Sequence, residues 1–131
     1  QEVNDMVMDA LDDVGLKHTV NMMPAELSGG MRKRIALART LILKPELILY
    51  DEPTTGLDPI TGREIIELMK EIQQKYNTSS LIISHDINCV RMASDRVIVL
   101  AGGRCHANGT FEELLKSADP VVKQFFESQT S

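Results

Sequence analysis

The sequence predicts an α/β fold in which parallel strands are flanked by helices. Two apolar runs of strand length, "ELILY" and "SSLIIS", are separated by a segment with helical spacing, and a third run, "DRVIVL", follows. Strands that alternate with helices in this way are typical of a parallel sheet, because each crossover returns the chain to the same end of the sheet. With 131 residues, 43% of them hydrophobic, the chain forms one domain or part of a larger one.

The first part of the chain predicts two helices. Residues 2–14 place apolar side chains on one helical face, and Gly15 is a suitable stop. Ser28 is a good N-cap for a second helix from about Gly29 to Leu43, and a proline follows its end. We therefore expect residues 1–45 to be a helical portion of the fold.

The remaining residues, 46–131, predict the sheet and its later helices. "ELILY" and "SSLIIS" are short apolar runs that suit strands buried on both faces. Asp58 followed by Pro59 predicts a helix start between them, and this helix extends to Tyr76.

After the second strand, local signals predict a short helix, a hairpin and two small helices. Asp86 is the cap of the short helix, and Gly102-Gly103 is the turn of an antiparallel hairpin. Thr110 and Asp119 are the caps of the last two helices.

Composition excludes several classes of function. The charged side chains sum to 14 minus 19, or −5, which argues against a nucleic-acid-binding surface. The two cysteines lack metal or redox spacing, so we expect free thiols in a reducing compartment. No apolar run reaches the roughly 18 residues of a membrane span. The chain neither begins with Met nor has a signal peptide, so we expect it to be part of a longer protein.

Polar residues follow both predicted parallel strands. "LILYDEP" delivers Asp51 and Glu52 to the carboxyl end of a strand, where open α/β sheets bind ligands. Two adjacent carboxylates there suit a Mg²⁺ ligand and a base that orients an attacking water. In "SHD", His85 follows the next strand and is placed to contact a phosphate. Taken singly, each of these segments is more economically explained by solvated loop side chains.

The segment "LSGGM" predicts a helix start suited to phosphate. Ser28, Gly29 and Gly30 offer a hydroxyl, two unobstructed backbone N–H groups and the positive end of a helix dipole. An ordinary capped helix is the competing explanation, and a Gly-Gly pair alone does not exclude it.

Taken together, the segments resemble a known family. "LSGGM", "LILYDEP", "TGLD" and "SHD" resemble, in order and spacing, the signature, Walker B, D-loop and switch-histidine motifs of ATP-binding cassette (ABC) ATPases. The resemblance covers nearly the whole chain but only the later half of that family's nucleotide-binding domain. It implies a partial P-loop NTPase domain, with residues 1–45 in the helical signature subdomain and residues 46–131 in the C-terminal part of the RecA-like core.

The resemblance also implies the site residues and the cofactors, ATP and Mg²⁺. Asp51 resembles the Mg²⁺-site acid, Glu52 the catalytic base and His85 the γ-phosphate sensor. Asp58 resembles the acid that couples the two sites of a head-to-tail dimer. The signature segment, Ser28 to Gly30, would contact ATP held by the second ATPase subunit. A membrane permease is the implied further partner, and the implied location is cytoplasmic, at the inner membrane.

The sequence departs from the family pattern at two points. Met31 replaces the usual signature glutamine, which removes a polar side chain and leaves the backbone contacts. No glycine is followed by lysine, so the phosphate-cradling G-x-x-x-x-G-K-[ST] loop is absent from this chain. We therefore expect the chain alone to be inactive and to self-associate through apolar edges.

A narrower resemblance points to one class of transporter. "LSGGM", "DPITG" and "ADPVVKQFFES" resemble the ATPase subunit of MCE-type bacterial phospholipid transporters. The C-terminal lobes of chromosome-structure and DNA-repair ATPases carry similar motifs, but those require a long coiled coil, and only one short amphipathic helix precedes Ser28. A soluble ABC factor and a catalytically inert piece are also compatible with the sequence.

Overall fold

The computed structural model describes residues 1–128, and these divide into two compact units. The first unit is residues 1–83 and the second begins at Ser84. The fold class is the predicted one, with a parallel strand pair and its helices in the first unit and an antiparallel hairpin in the second. The predicted boundary at residue 45, between a helical portion and a core, remains a prediction.

Two helices open the first unit. These are α1, Glu2–Asp13, and α2, Gly29–Leu41, joined through short 3₁₀ turns at Lys17–Thr19 and Pro24–Glu26. The Arg34 side chain on α2 donates a 2.9 Å hydrogen bond to the Val14 carbonyl, which satisfies an acceptor that the end of α1 leaves open. This bond fixes α2 against the end of α1.

The second helix is shorter than predicted. It ends at Leu41 and not at Leu43, and Lys44 adopts a left-handed backbone with φ of +50°. Lys44 precedes Pro45, whose ring disfavours helical geometry in the preceding residue. The helix thus ends two residues earlier than the apolar pattern indicated.

The parallel pair consists of β1, Leu47–Asp51, and β2, Ser79–Ile83, linked by helix α3, Pro59–Tyr76. Their register runs in step, so Asp51 pairs with Ile83 at the carboxyl end. Parallel strands need a crossover of this kind, and α3 supplies it. Asn77, with φ of +51°, ends α3 in the left-handed conformation.

The prediction that both strands are buried on both faces is wrong. Ile48 is buried with the helices, but four residues of the two strands point to solvent: Leu47 (54% exposed), Leu49 (69%), Leu81 (54%) and Ile83 (60%). The helices of residues 1–83 cover one face of the pair, and the other is bare within that unit. We call these four residues the bare sheet face.

The second unit begins with the short helix α4, Ile87–Ala93. The predicted hairpin follows as β3, Val97–Ala101, and β4, Arg104–Gly109, an antiparallel pair. Gly102 and Gly103 both have positive φ, which two-residue hairpin turns of the primed type require. The structure confirms this turn.

Two capped helices close the second unit. Thr110 caps α5, Phe111–Leu115, and Asp119 caps α6, Pro120–Glu127. Val122 of α6 is fully buried with residues of the hairpin and α5. Asp119 also lies 3.5 Å from the His106 ring, between Oδ2 and Nδ1.

The two cysteines are free thiols, as expected, and they differ in accessibility. Cys89 on α4 is fully buried, and Cys105 on β4 is exposed. Within residues 1–128, no helix has the length and apolar character needed to cross a membrane.

Candidate functional site

The two predicted carboxylates lie at the carboxyl end of the parallel pair. Asp51 is the last residue of β1 and is exposed, and Glu52 follows it half-buried. The Glu52 N–H donates a 2.8 Å hydrogen bond to the Ile83 carbonyl, so the pairing of the two strands continues one residue beyond β1. The end of β1 therefore exposes the Asp51 carboxylate to solvent, and a backbone hydrogen bond to β2 holds Glu52 in place.

The backbone of Glu52 has an uncommon conformation. Its φ is +49°, a left-handed value that residues with a Cβ adopt infrequently and that occurs at functional sites. Its carbonyl accepts the Thr55 N–H at 3.2 Å and faces the Lys33 ammonium at 3.4 Å. The Thr55 hydroxyl lies 3.4 Å from Glu52 Oε2. Nothing in the sequence signals this conformation, because a glutamate after a strand is equally compatible with extended backbone.

The start of α2 has the predicted cap. Ser28 Oγ accepts the Met31 N–H at 3.1 Å, which is the expected N-cap geometry. A hydroxyl that accepts one bond retains its own proton, so Ser28 can still donate to an anion. The N–H groups of the first turn, including those of Gly29 and Gly30, have no acceptors within the helix. This end of α2 is therefore rich in donors.

One of the two glycines, Gly30, has a packing role that the sequence did not indicate. Gly30 is buried, and a Cβ built on it would lie 2.7 Å from Thr61 Cγ2, which is too close for real atoms. A Cβ on Gly29 would lie 3.6 Å from Leu57 Cδ2, an ordinary contact. Gly30 is therefore required by close packing against the start of α3, whatever it does toward a ligand.

Asp58 caps α3 through the same threonine. Its carboxylate accepts the Thr61 hydroxyl at 2.6 Å and the Thr61 N–H at 3.0 Å. These bonds, the side-chain one first, lower the pKa of Asp58 below its usual value. Thr61 thus contacts Asp58 with its hydroxyl and faces Gly30 with its methyl, which fixes the positions of these two predicted site segments relative to each other.

A cavity of about 210 Å³ lies beside Asp51, between α2, β1 and α3. Its walls are mainly apolar, with Lys33 and Asp51 as the charged residues. Tyr50, also on its wall, has a buried hydroxyl with no hydrogen-bond partner among the described residues, and burial raises its pKa to about 12.

His85 belongs to the second unit. It is exposed and follows Ile83, the register partner of Asp51, by two residues along the chain. The next residue, Asp86, accepts the N–H groups of Asn88 and Cys89 and so caps α4. His85 therefore follows the predicted strand β2, and its contact with a phosphate remains a prediction.

The fit of this site to a magnesium nucleotide is partial. Mg²⁺ takes one or two carboxylates together with substrate phosphates, and an exposed Asp51 beside Glu52 fits that donor set. Among residues 1–128, no group of three or more histidine, cysteine or acidic side chains forms a self-sufficient metal site. Any Mg²⁺ here therefore needs phosphate oxygens, and the backbone loop that cradles them is not encoded in this chain.

Comparison with known proteins gives consistent matches. Residues 2–55 match the family model described as ABC transporter. The chain is 41% identical over 128 residues to the intermembrane phospholipid transport system ATP-binding protein of Haemophilus influenzae, covering 98% of the chain and 48% of that relative. It is 41% identical over 124 residues to a probable ribonucleotide transport ATP-binding protein of Mycobacterium leprae, covering 95% of the chain and 36% of that relative. The chain thus spans half or less of the length of these relatives.

Solved structures agree with these sequence matches. The ADP conformation of an ATP-binding cassette of an ABC transporter superposes with a TM-score of 0.85 at 29% identity, covering 97% of this chain and 50% of that one. A dimeric, post-hydrolysis ATP-binding cassette bound to ADP and Pi gives a TM-score of 0.70 at 33% identity, covering 83% and 47%.

Proposed function

We propose that the chain is part of an ATP-binding cassette ATPase, and that it provides the catalytic carboxylate and the partner-facing helix start of an ATP-hydrolysing transporter subunit. The proposal rests on the arrangement of the two acids at the carboxyl end of β1. There Asp51 is exposed, and Glu52 is held in a left-handed backbone by contacts from β2 and α2. A solvated loop glutamate would not require such contacts.

Each acid has a separate role in the proposal. Asp51 would hold Mg²⁺ through a carboxylate oxygen, and the ion would neutralise charge on the phosphates of bound ATP. Glu52 accepts the proton of the attacking water or orients that water. His85, exposed after β2, donates a hydrogen bond to the γ-phosphate. The cradle for the β- and γ-phosphates is provided by residues outside this chain.

A second ATPase subunit completes the site. The donor-rich start of α2, from Ser28 to Gly30, binds the γ-phosphate of ATP held by that subunit. Asp58, fixed to the same region through Thr61, couples the two sites. The dimeric state of a similar ATP-binding cassette supports a dimer, and the head-to-tail arrangement is part of the proposal.

Phospholipid transport is the proposed cellular task. The 41% identity with the Haemophilus influenzae phospholipid transport protein extends over 98% of the chain, which supports this cargo. In this proposal the ATPase lies in the cytoplasm and reaches the inner membrane through a permease, which selects the lipid.

The test is the substitution Glu52→Gln in the full-length protein that contains this chain. We expect ATP hydrolysis to fall by about 10²- to 10⁴-fold, the contribution of a general base, while ATP binding is retained. Glu71→Gln on the exposed side of α3 is the matched control and should leave hydrolysis unchanged. Normal hydrolysis by the Glu52 variant would remove Glu52 from the mechanism. With the permease in phospholipid vesicles, lipid transfer should depend on ATP in the native protein and cease in this variant.

A further inference from the structure

Lys33 on α2 reaches the loop that carries Glu52. Its Nζ lies 3.4 Å from the Glu52 carbonyl oxygen, although 19 positions separate the two residues in sequence. The side chain is half-buried, and it lines the same cavity as Asp51. A lysine ammonium has three donors and no acceptor, so a backbone carbonyl is a suitable partner for it.

The Glu52 backbone needs such a partner. A left-handed conformation brings Cβ close to the residue's own carbonyl oxygen, so it persists only where the surroundings hold it. The Glu52 N–H is held by the Ile83 carbonyl at 2.8 Å, and the Glu52 carbonyl by the Thr55 N–H at 3.2 Å. Lys33 adds a charged donor on the carbonyl side, beside the neutral donor of that amide.

We propose that Lys33 is a positioning residue for Glu52: its ammonium holds the Glu52 carbonyl and so fixes the backbone from which the catalytic carboxylate projects. This inference rests on the proposed role of Glu52 as the base. Lys33 does not contact the reacting atoms. It acts by setting the direction in which the Glu52 side chain leaves the loop.

The position of Lys33 on α2 gives the contact a second consequence. The same helix begins at Gly29, within the segment Ser28 to Gly30 that is the proposed contact with the partner subunit's ATP. Lys33 is one helical turn further on, so a shift of α2 also moves the donor that holds Glu52. Helix α2 therefore connects the proposed contact with the partner's ATP to the position of Glu52.

Steady-state ATP hydrolysis by the full-length protein tests the inference. Lys33→Met keeps most of the unbranched side chain and removes the donor, so we expect kcat to fall about tenfold while KM and nucleotide affinity stay within about twofold. Lys33→Arg retains a charged donor and should restore kcat to within about threefold of the native value. Arg39→Met removes an exposed charge from the same helix and should leave kcat unchanged.

The outcomes separate the inference from the proposed function. If Glu52→Gln abolishes hydrolysis but Lys33→Met does not lower kcat, the inference alone is wrong. If Glu52→Gln is fully active, the proposed function itself fails. If Arg39→Met lowers kcat as much as Lys33→Met does, Lys33 acts only on stability. The same conclusion follows if Lys33→Arg does not restore kcat. If Lys33→Met does not fold, Lys33→Arg decides: a near-native kcat supports the inference, and a tenfold loss in a normally folded variant overturns it.

Discussion

The close packing of Gly30 gives the most direct test of how the first unit is built. A Cβ at position 30 would lie 2.7 Å from Thr61 Cγ2, so Gly30→Ala requires either the Thr61 side chain or the start of α2 to shift. Overpacking of this kind costs about 1–3 kcal/mol. Alanine gains up to about 1 kcal/mol over glycine in helix propensity, which offsets part of that cost. We therefore expect the free energy of unfolding to fall by about 1–2 kcal/mol.

Urea unfolding of this chain, followed by circular dichroism, measures the effect. With a denaturant slope of about 2 kcal/mol per molar, the middle of the usual range, the midpoint should fall by roughly 0.5–1 M. Gly29→Ala is the matched control, because its Cβ meets Leu57 Cδ2 at an ordinary 3.6 Å. That variant should be unchanged or more stable by up to about 1 kcal/mol.

A second substitution tests the cause. Thr61→Ser removes the colliding methyl group and keeps the hydroxyl that bonds Asp58. In the double variant with Gly30→Ala, most of the lost stability should return, with a coupling energy of at least about 0.5 kcal/mol. A fully stable Gly30→Ala variant, or a double variant whose loss equals the sum of the single ones, would refute the packing explanation.

Three further predictions concern the chain by itself. Without the phosphate-cradling loop it should show no Mg²⁺-dependent ATP hydrolysis above background, and robust turnover would contradict this. The bare sheet face should cause the chain to self-associate in sedimentation experiments. Leu49→Lys on that face should reduce the association, whereas Ile60→Lys, which is equally exposed but lies on α3, should not. A clean monomer of the native chain at high concentration would contradict the prediction. Asp119 has a pKa lowered mainly by the Val121 N–H, so it stabilises the fold above its unfolded pKa and loses this effect as the pH falls through its folded pKa. Asp119→Ala should therefore lower the thermal midpoint at about pH 7 and have little effect at about pH 2, and a pH-independent difference would exclude the ionised cap as the cause.

Local features of the fold were predictable from the sequence because their causes are local. The caps at Ser28, Asp58 and Asp119 each depend on an oxygen and N–H groups within three residues of it. The hairpin at Gly102-Gly103 depends on two residues free to take positive φ. Such signals do not depend on the rest of the chain, and the structure confirms them.

Features that depend on distant residues were not predictable in this way. Apolar strand residues such as Leu49 and Leu81 indicated burial, but burial needs a covering element, which the sequence of the strand does not specify. The approach of Lys33 to Glu52 joins residues 19 positions apart, and no periodic pattern marks it. Gly30 was explained by access to a phosphate, whereas its fit against Thr61 becomes visible only when α2 and α3 are packed. The roles assigned to Asp51, Glu52, Asp58 and His85 remain predictions from the motifs.

The unequal exposure of the two thiols allows local opening of the second unit to be measured by cysteine alkylation. Cys105 is open to an alkylating reagent in the folded chain, whereas Cys89 is fully buried and reacts only when the structure around it opens. The ratio of the two labelling rates therefore gives the free energy of opening around α4, the helix that begins two residues after His85. In the full-length protein, the same ratio measured with and without nucleotide would show whether a ligand tightens this region, with no engineered probe.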